Sequence, residues 1–248
     1  FDGLDKGPSG APYGGSIPIH KAMAPRGDAI VAYEMNGEDI PPDHGYPVRA
    51  VAPGILGARQ VKWLEHVYCS GEESESHWQR KDYRGFCPSV TWDTVDFDSA
   101  PSIQELPVTS LICEPPPGTT VDVEEETIRA RGYAWSGGGR GIVRVDVSAD
   151  GGETWHVADV DPECCLEKVM APGYNRTWSW TLWSAEIPIP KKILAAGSGK
   201  AQVVVKAIDS SYNVQPDTVP PIWNIRGVLS SAWHRVDVDC ISLEEEDD

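Results

Sequence analysis

The residues able to do redox or ligand chemistry are few and scattered. Six cysteines stand at 69, 87, 113, 164, 165 and 240. None shows C-x-x-C spacing, so a thiolate zinc site is not encoded and no metal ligand is assigned. Cys164-Cys165 could be a redox or soft-metal pair, but a loop that happens to carry two thiols is the simpler reading. The segment DHGYPVR (43–49) places an imidazole and a guanidinium in one short stretch. Such a pair can grip an anion, with Arg49 forking onto its oxygens and His44 donating one hydrogen bond. On spacing alone it is a polar turn with a surface arginine. GARQVK (57–62) offers a lysine and backbone N–H groups, and QRKDYRGF (79–86) offers a phenol at Tyr83 between an acid and a base. Asp5 sits in a Gly-rich opening, where a lone aspartate usually caps a turn. AWSGGGR (134–140) leads into a strand rather than a helix, so a phosphate-cradling reading of its glycines fails.

These groups must be positioned by a chain of 248 residues, enough for one large domain or two smaller ones. At 40% hydrophobic and 24% charged it is of ordinary globular composition, which excludes a mainly disordered chain. No apolar run approaches the roughly 20 residues of a membrane-spanning helix. Acidic residues outnumber basic ones by 38 to 21, for a formal net charge of −17. That balance argues against nucleic acid and against anionic membrane surfaces, and suits a basic protein partner. The chain opens at Phe1 without a readable targeting segment, so a fragment or a processed chain is expected. Asn175-Arg176-Thr177 is a glycosylation sequon of little weight by itself.

The first 20 residues read as loop. DAIVAYEM (28–35) reads as a short buried strand before an Asn36-Gly37 turn. Short apolar runs follow at 47–52 and 60–68, then a long irregular stretch over 70–99, a type that tends to be functional. Prolines cluster at 101, 107 and 115–117 around the run VTSLIC, marking a crossing into a second domain. Beyond it the pattern is all-β. IVRVDVS (142–148) alternates as a half-buried strand, DGG (150–152) turns the chain, and ETWHVADV returns it. Residues 177–187, 201–208 and 233–241 read as further strands, together an immunoglobulin-like sandwich. Ser148-x-Asp150-x-Gly152-x-Thr154-Trp155 matches an Asp-box hairpin. It occurs once and without a repeat period, so it is read as a structural turn.

Four long stretches are more specific: AYEMNGEDIPPDHGYPVRAVAPGILGARQVKWL (32–64), SHWQRKDYRGFCPSV (76–90), RGYAWSGGGRGIVRVDVSADGGETW (131–155) and NVQPDTVPPIWNIRGVLSSAWHRV (213–236). In that order they closely resemble the sulfite oxidase family of molybdenum-pterin enzymes, over nearly the whole chain. The resemblance implies an α+β remainder of the molybdenum-pterin domain over 1–105, an all-β immunoglobulin-like dimerisation domain over 106–241 and an acidic tail over 242–248. It implies sulfite oxidation to sulfate at a molybdenum-molybdopterin centre, with electrons passed on to a haem and cytochrome c, or to oxygen. A haem b domain upstream of this chain is possible. Asp5, His44, Arg49, Gln60, Val61 and Lys62 match cofactor contacts. Gln60 stands where animal relatives often have His, so only its backbone role carries over.

Tyr83 matches the family's active-site tyrosine, and Arg226 an arginine that the second domain contributes to the sulfite pocket. In assimilatory nitrate reductases, the main alternative, these two positions are typically Asn and Met. The molybdenum-ligating cysteine and two pocket arginines belong to family segments upstream of Phe1, and Cys69 and Cys87 are not promoted in their place. The resemblance further implies a homodimer through the C-terminal domain and a mitochondrial intermembrane-space location, with peroxisome or cytoplasm as alternatives. A non-catalytic dimerisation subunit and a Trp-rich carbohydrate-binding sandwich are the readings from other classes.

Overall fold

A computed structural model describes residues 1–7, 10–161 and 176–243. Cys164-Cys165, Asn175 of the sequon and the acidic residues 244–248 lie outside the described residues. The chain is rich in sheet and poor in helix, the described α-helices being α1 (Ile19–Met23) and α2 (Lys191–Ala196). It divides into two compact units. Unit 1 comprises Phe1–Leu106, Gly137–Gly139 and Pro220–Ser230; unit 2 comprises Pro107–Ser136, Arg140–Val219 and Ser231–Asp248. The boundary at Leu106/Pro107 falls in the proline cluster. Two later segments, including the one that carries Arg226, cluster with unit 1 rather than with the strands around them.

Unit 1 is built from small sheets and irregular chain. β1 (Asp2–Lys6) pairs with β2 (Pro12–Gly14) and with β7 (Leu64–His66) in a three-stranded antiparallel sheet. The opening therefore contains strands where a loop was expected. β1, DGLDK, has no apolar alternation, and its order comes from the register with β7 across some 60 residues of chain, which local patterning does not contain. β3 (Ile30–Ala32) pairs with β6 (Arg49–Val51), and β4 (Glu34–Met35) with β5 (Glu38–Asp39). The strand expected over 28–35 exists in part, but Ile30 and Val31 are exposed rather than buried. An apolar run specifies what a strand prefers against it, not whether anything covers it.

Buried polar side chains tie the irregular part of unit 1 together. Arg59 is fully buried and donates to the carbonyls of Ile103, Trp78 and Tyr83. Gln79, also buried, accepts from Ser16 N at 3.1 Å and donates to Glu73 and Ser102. Arg84 holds the carbonyls of Phe97 and Ala100 and pairs with Glu73. A buried guanidinium with its N–H groups satisfied by carbonyls fixes loop conformation where no ladder exists.

Unit 2 contains two sheets on one core. The first runs β13 (Asp159–Val160), β14 (Thr181–Pro188), β10 (Thr127–Trp135), β8 (Thr109–Glu114). The second runs β12 (His156–Val157), β11 (Ile142–Ser148), β15 (Ser198–Asp209), β16 (His234–Ile241), β9 (Thr120–Asp122), with β9 parallel to β16. Inward residues alternate on both sides: Ile128, Ala130, Ala134, Trp183 and Ile187 from one sheet, Val145, Val147, Val203, Val205, Val236 and Val238 from the other, in one apolar cluster. This is the period-2 pattern that IVRVDVS and AQVVVKAI display in sequence.

The turn after β11 is the local device expected from Ser148 and Asp150. Ser148 Oγ donates to Asp150 Oδ1 at 2.7 Å and accepts from Gly152 N. Asp150 accepts from Thr154 N, Thr154 Oγ1 and Glu153 N. Gly151 and Gly152 both have positive φ, and Trp155 and Trp233 pack on Gly152. Burial pushes the Asp150 carboxyl up, but the hydrogen bonds from Thr154, Ser148 and Glu153 outweigh it and hold the pKa down at about 2. A carboxyl depressed in the folded state stabilises above its unfolded pKa and loses that contribution as pH falls towards the folded value. An Asp150→Asn variant is therefore expected to melt lower than the parent near pH 7. The gap should shrink as pH falls from about 4 to about 2. Melting curves taken across that range check it, and a gap independent of pH would contradict it.

Candidate functional site

Unit 1 gathers the sequence-predicted site residues into two groups of side chains. The first lines a cleft of about 300 Å³ formed by Asp5, Tyr13, Arg49, Gly57, Gln60, Lys62 and Trp63. β1 supplies Asp5, β2 supplies Tyr13 and β6 supplies Arg49. The 3-10 turn Gly57–Arg59 and the residues after it supply the rest. Tyr13 OH donates to Ala58 O at 2.8 Å, fixing β2 against that turn. Arg49 Nη1 donates to His44 O at 3.0 Å, and Lys62 Nζ donates to Asp43 O at 2.7 Å. Trp63 Nε1 donates to Pro42 O, and the Lys62 ammonium lies 4.4 Å from the Trp63 ring centroid. Gly45 has φ 108°, and a Cβ there would stand 2.7 Å from Lys62 Cβ, so only glycine lets the 42–45 turn lie on Lys62.

The cleft thus brings together Asp5, Arg49, Gln60 and Lys62, which are far apart in sequence. His44 is exposed and joins through its backbone carbonyl. Val61 is fully buried and contributes main chain alone, its carbonyl accepting from Ala50 N. Gln60 Nε2 donates to Ile55 O at 3.3 Å. Tyr13 and Trp63 were missed from sequence. Each is an aromatic beside glycine or a charged residue, with no spacing to single it out.

The second group lies on the irregular 70–99 stretch and the Pro220–Ser230 segment. Arg226 donates from Nε to Asp82 O at 3.3 Å and pairs through Nη2 with Asp82 Oδ1. The other Asp82 oxygen lies 3.2 Å from His77 Nε2. The Arg226 guanidinium stands 5.6 Å from the Trp92 ring centroid. Tyr83 follows a single helical turn, Trp78–Asp82. Its carbonyl accepts from Ile103 N at 2.8 Å, and the Arg59 guanidinium stands 5.8 Å from its ring. Arg226 is therefore ion-paired and clusters with unit 1, and the chain between Asn224 and Val228 is tied by the Asn224 side chain.

Tyr13 joins the two groups. Burial, reinforced by the charges of Tyr83, Asp5 and Asp82 against the opposing pull of Arg59, pushes its phenol up to about 12. It is neutral and a hydrogen-bond donor at any physiological pH. Burial also lowers Arg49 below its ordinary value, though it stays a cation.

The cleft offers a test of whether a pterin with an anionic tail fits. Asp5 Oδ1 and Arg49 Nε are buried without a hydrogen-bond partner. Buried polar atoms are normally satisfied, so an unpartnered carboxylate oxygen and an unpartnered guanidinium N–H at one cleft are chemically suited to a ligand with a donor and an acceptor. A pterin ring presents N–H donors for Asp5, and a phosphate presents oxygens for Arg49 and Lys62. The residues present fit that group. Among the described residues no cluster of three or more His, Cys, Asp or Glu could hold a metal ion. The described cysteines 69, 87 and 113 are exposed and Cys240 is buried in unit 2. A larger groove of about 1110 Å³ is lined in part by Ile19, Met23, Ile30, Val31, Val67 and Tyr68. None of the sequence-predicted site residues lines it.

Comparison with known proteins divides the chain near the same boundary, but puts Gly137–Gly139 and Pro220–Ser230 with the second part. The Mo-co oxidoreductase dimerisation domain matches residues 100–241, and the oxidoreductase molybdopterin-binding domain matches residues 1–78. Mitochondrial sulfite oxidases of Macaca fascicularis and of Homo sapiens are each 58% identical over 238 residues, 96% of this chain and 41% of theirs. The chain thus spans about 41% of the length of these curated relatives. The crystal structure of the sulfane dehydrogenase SoxCD from Paracoccus pantotrophus is similar with a TM-score of 0.69 at 27% identity, over 94% of this chain and 52% of that one.

Proposed function

This chain belongs to the sulfite oxidase family of molybdopterin oxidoreductases, and from that premise we propose that it is the part of a sulfite-oxidising enzyme that holds the pterin and completes the substrate site. The observation that carries the reading is the pair of orphaned buried groups, Asp5 Oδ1 and Arg49 Nε, in one cleft with Lys62. Asp5 would receive pterin N–H groups, Arg49 and Lys62 the phosphate, and the backbone around Gln60 and Val61 would close the contact. His44 would donate from the neighbouring turn. Bound there, a molybdenum-pterin supplies two-electron oxygen-atom chemistry, the conversion of sulfite to sulfate.

The chain's own residues have defined tasks in that reaction. Arg226 meets the dianion, because an otherwise acidic protein needs a local cation to admit one. Asp82 orients Arg226 and tempers its charge, so that anion binding stays reversible. Tyr83, next to Asp82, donates a hydrogen bond to the substrate or product oxygen. Tyr13 stays protonated beside it. Tyr83 and Arg226 are the residues that in this family accompany sulfite rather than nitrate, which favours sulfite over a nitrate reductase core or a non-catalytic subunit.

Unit 2 is read as the immunoglobulin-like dimerisation domain, from its four- and five-stranded sheets on a common core and from the matching domain family. The domain reading is 1–105 molybdenum-pterin domain, 106–241 dimerisation domain and 242–248 acidic tail. A homodimer, a haem or cytochrome c as electron acceptor, and a mitochondrial intermembrane-space location complete the proposal. The location rests on relatives named as mitochondrial. Among the described residues no helix is long and apolar enough to cross a membrane.

Steady-state kinetics of the complete enzyme test the site. Arg226→Met should raise KM for sulfite by roughly 10- to 100-fold, the worth of a charge-assisted contact to a dianion. An unchanged KM would remove Arg226 from the substrate site.

A further inference from the structure

The carboxylate that holds Arg226 has a second neighbour able to carry positive charge. Asp82 pairs through Oδ1 with Arg226 Nη2, and its Oδ2 lies 3.2 Å from His77 Nε2. The turn between them, Trp78–Asp82, is π-helical. Its i→i+5 geometry brings residues five apart onto one side, which is where His77, just before the turn, meets Asp82 at its end. Trp78 stands edge-on to the His77 ring, with centroids 5.7 Å and planes 83° apart. The Asp82 side chain is 17% exposed and that of Arg226 22%, whereas His77 is 60% exposed and open to protons from bulk water.

Charge on His77 therefore reaches Arg226 through Asp82. With a neutral imidazole, Asp82 gives its charge to Arg226 alone. With a protonated one, the carboxylate is shared between two cations, and Arg226 offers more of its own charge to an anion. The other charged groups around this turn are of different kinds. On it, Arg80 pairs with Glu73 and Glu75, and Lys81 precedes Asp82. Strand β2 packs against it and brings the Tyr13 phenol, held protonated by burial. The Phe97–Ser99 turn packs against it and brings Asp98. Among these side-chain types, imidazole is the one that ordinarily changes charge between pH 5 and 8.

We propose that His77 is a positioning residue for the substrate arginine: sharing Asp82 with Arg226, the protonated imidazole loosens the carboxylate's hold on the guanidinium and strengthens sulfite binding towards lower pH. The inference rests on the assignment of Arg226 to the sulfite pocket and adds the group that adjusts it. His77 itself touches no substrate in this account. It acts through one carboxylate whose two oxygens have different partners. The effect is modest, because His77 is largely exposed and solvent screens its charge.

The test uses the complete enzyme and His77→Gln, a neutral polar replacement at an exposed position. The ratio of the variant's KM for sulfite to the wild-type KM should be near 1 at about pH 8 and rise to roughly 2- to 5-fold at about pH 5.5, the worth of one partly exposed ion pair. Protonation of sulfite itself is common to both enzymes and cancels in the ratio. In an Arg226→Met background, His77→Gln should leave KM unchanged at every pH, which a merely structural role for His77 would not produce. The coupling is reciprocal, so it has a readout without turnover. With isotope-labelled histidine, the His77 ring resonances should titrate at higher pH in Arg226→Met than in the wild type, because Asp82 then serves His77 alone. A KM ratio that is flat with pH, or that rises equally without Arg226, overturns the role of His77 while Arg226 keeps its place. An unchanged KM in Arg226→Met overturns both.

Discussion

Arg49→Ala in the complete enzyme is expected to weaken retention of the molybdopterin by roughly 10- to 100-fold, the loss of charge-assisted hydrogen bonds to an anionic group. Arg49 is half-buried, burial lowers its pKa, and its Nε has no partner within the protein. A guanidinium in that condition keeps a donor to offer a bound anion. The Nη1 bond to His44 O keeps the fork pointed and would be made by the free protein as well. Arg49→Lys should recover little, since a lysine places one charge without the planar pair of donors. The check is pterin and molybdenum per polypeptide after gel filtration. Full occupancy in Arg49→Ala would move the cofactor away from this cleft.

The second large effect concerns stability. Gly132 lies on β10 with its missing side chain directed inward, between the Leu111 carbonyl of β8 and the ring of Trp183 on β14. An added methyl would collide with the Leu111 oxygen and stand 2.6 Å from Trp183 Cζ2. The carbonyl belongs to a strand in register on the same sheet, and Trp183 is buried, so neither can withdraw cheaply. Gly132→Ala should cost about 3 kcal/mol, the upper range for overpacking. For a chain of this size that lowers Tm by roughly 6–12 °C. Gly71→Ala, where an added methyl meets nothing within 4 Å, should change Tm by under about 2 °C and serves as the control. Equal melting of the two variants would contradict the packing described for β8, β10 and β14.

The strands of unit 2 were legible because their inward residues alternate in sequence, and the Ser148–Thr154 turn because its ties are all within seven residues. Unit 1 was less so. Asp5 reaches its cleft by the pairing of β1 with β7, a contact that no local pattern announces. Arg59 is one residue from Gln60, yet a buried arginine satisfied by three carbonyls looks in sequence like any surface arginine. Arg226 follows the strand-rich stretch in chain order but clusters with unit 1, where Asp82 holds it. Family resemblance pointed to Asp5 and Arg226 but not to Arg59. It did not contain the partners that fix them, which depend on three-dimensional proximity. The apolar run at 28–35 misled for the converse reason: its composition predicts burial, and Ile30 and Val31 line an open groove.

We propose that this chain is part of a molybdenum-pterin enzyme acting on sulfite. The most direct measurement is turnover of the purified complete enzyme with sulfite and with nitrate, alongside its molybdenum content. Stoichiometric molybdenum, sulfite-dependent reduction of a one-electron acceptor and negligible nitrate reduction are expected. Efficient nitrate reduction without sulfite oxidation, or a correctly folded enzyme that binds no molybdenum, would contradict it.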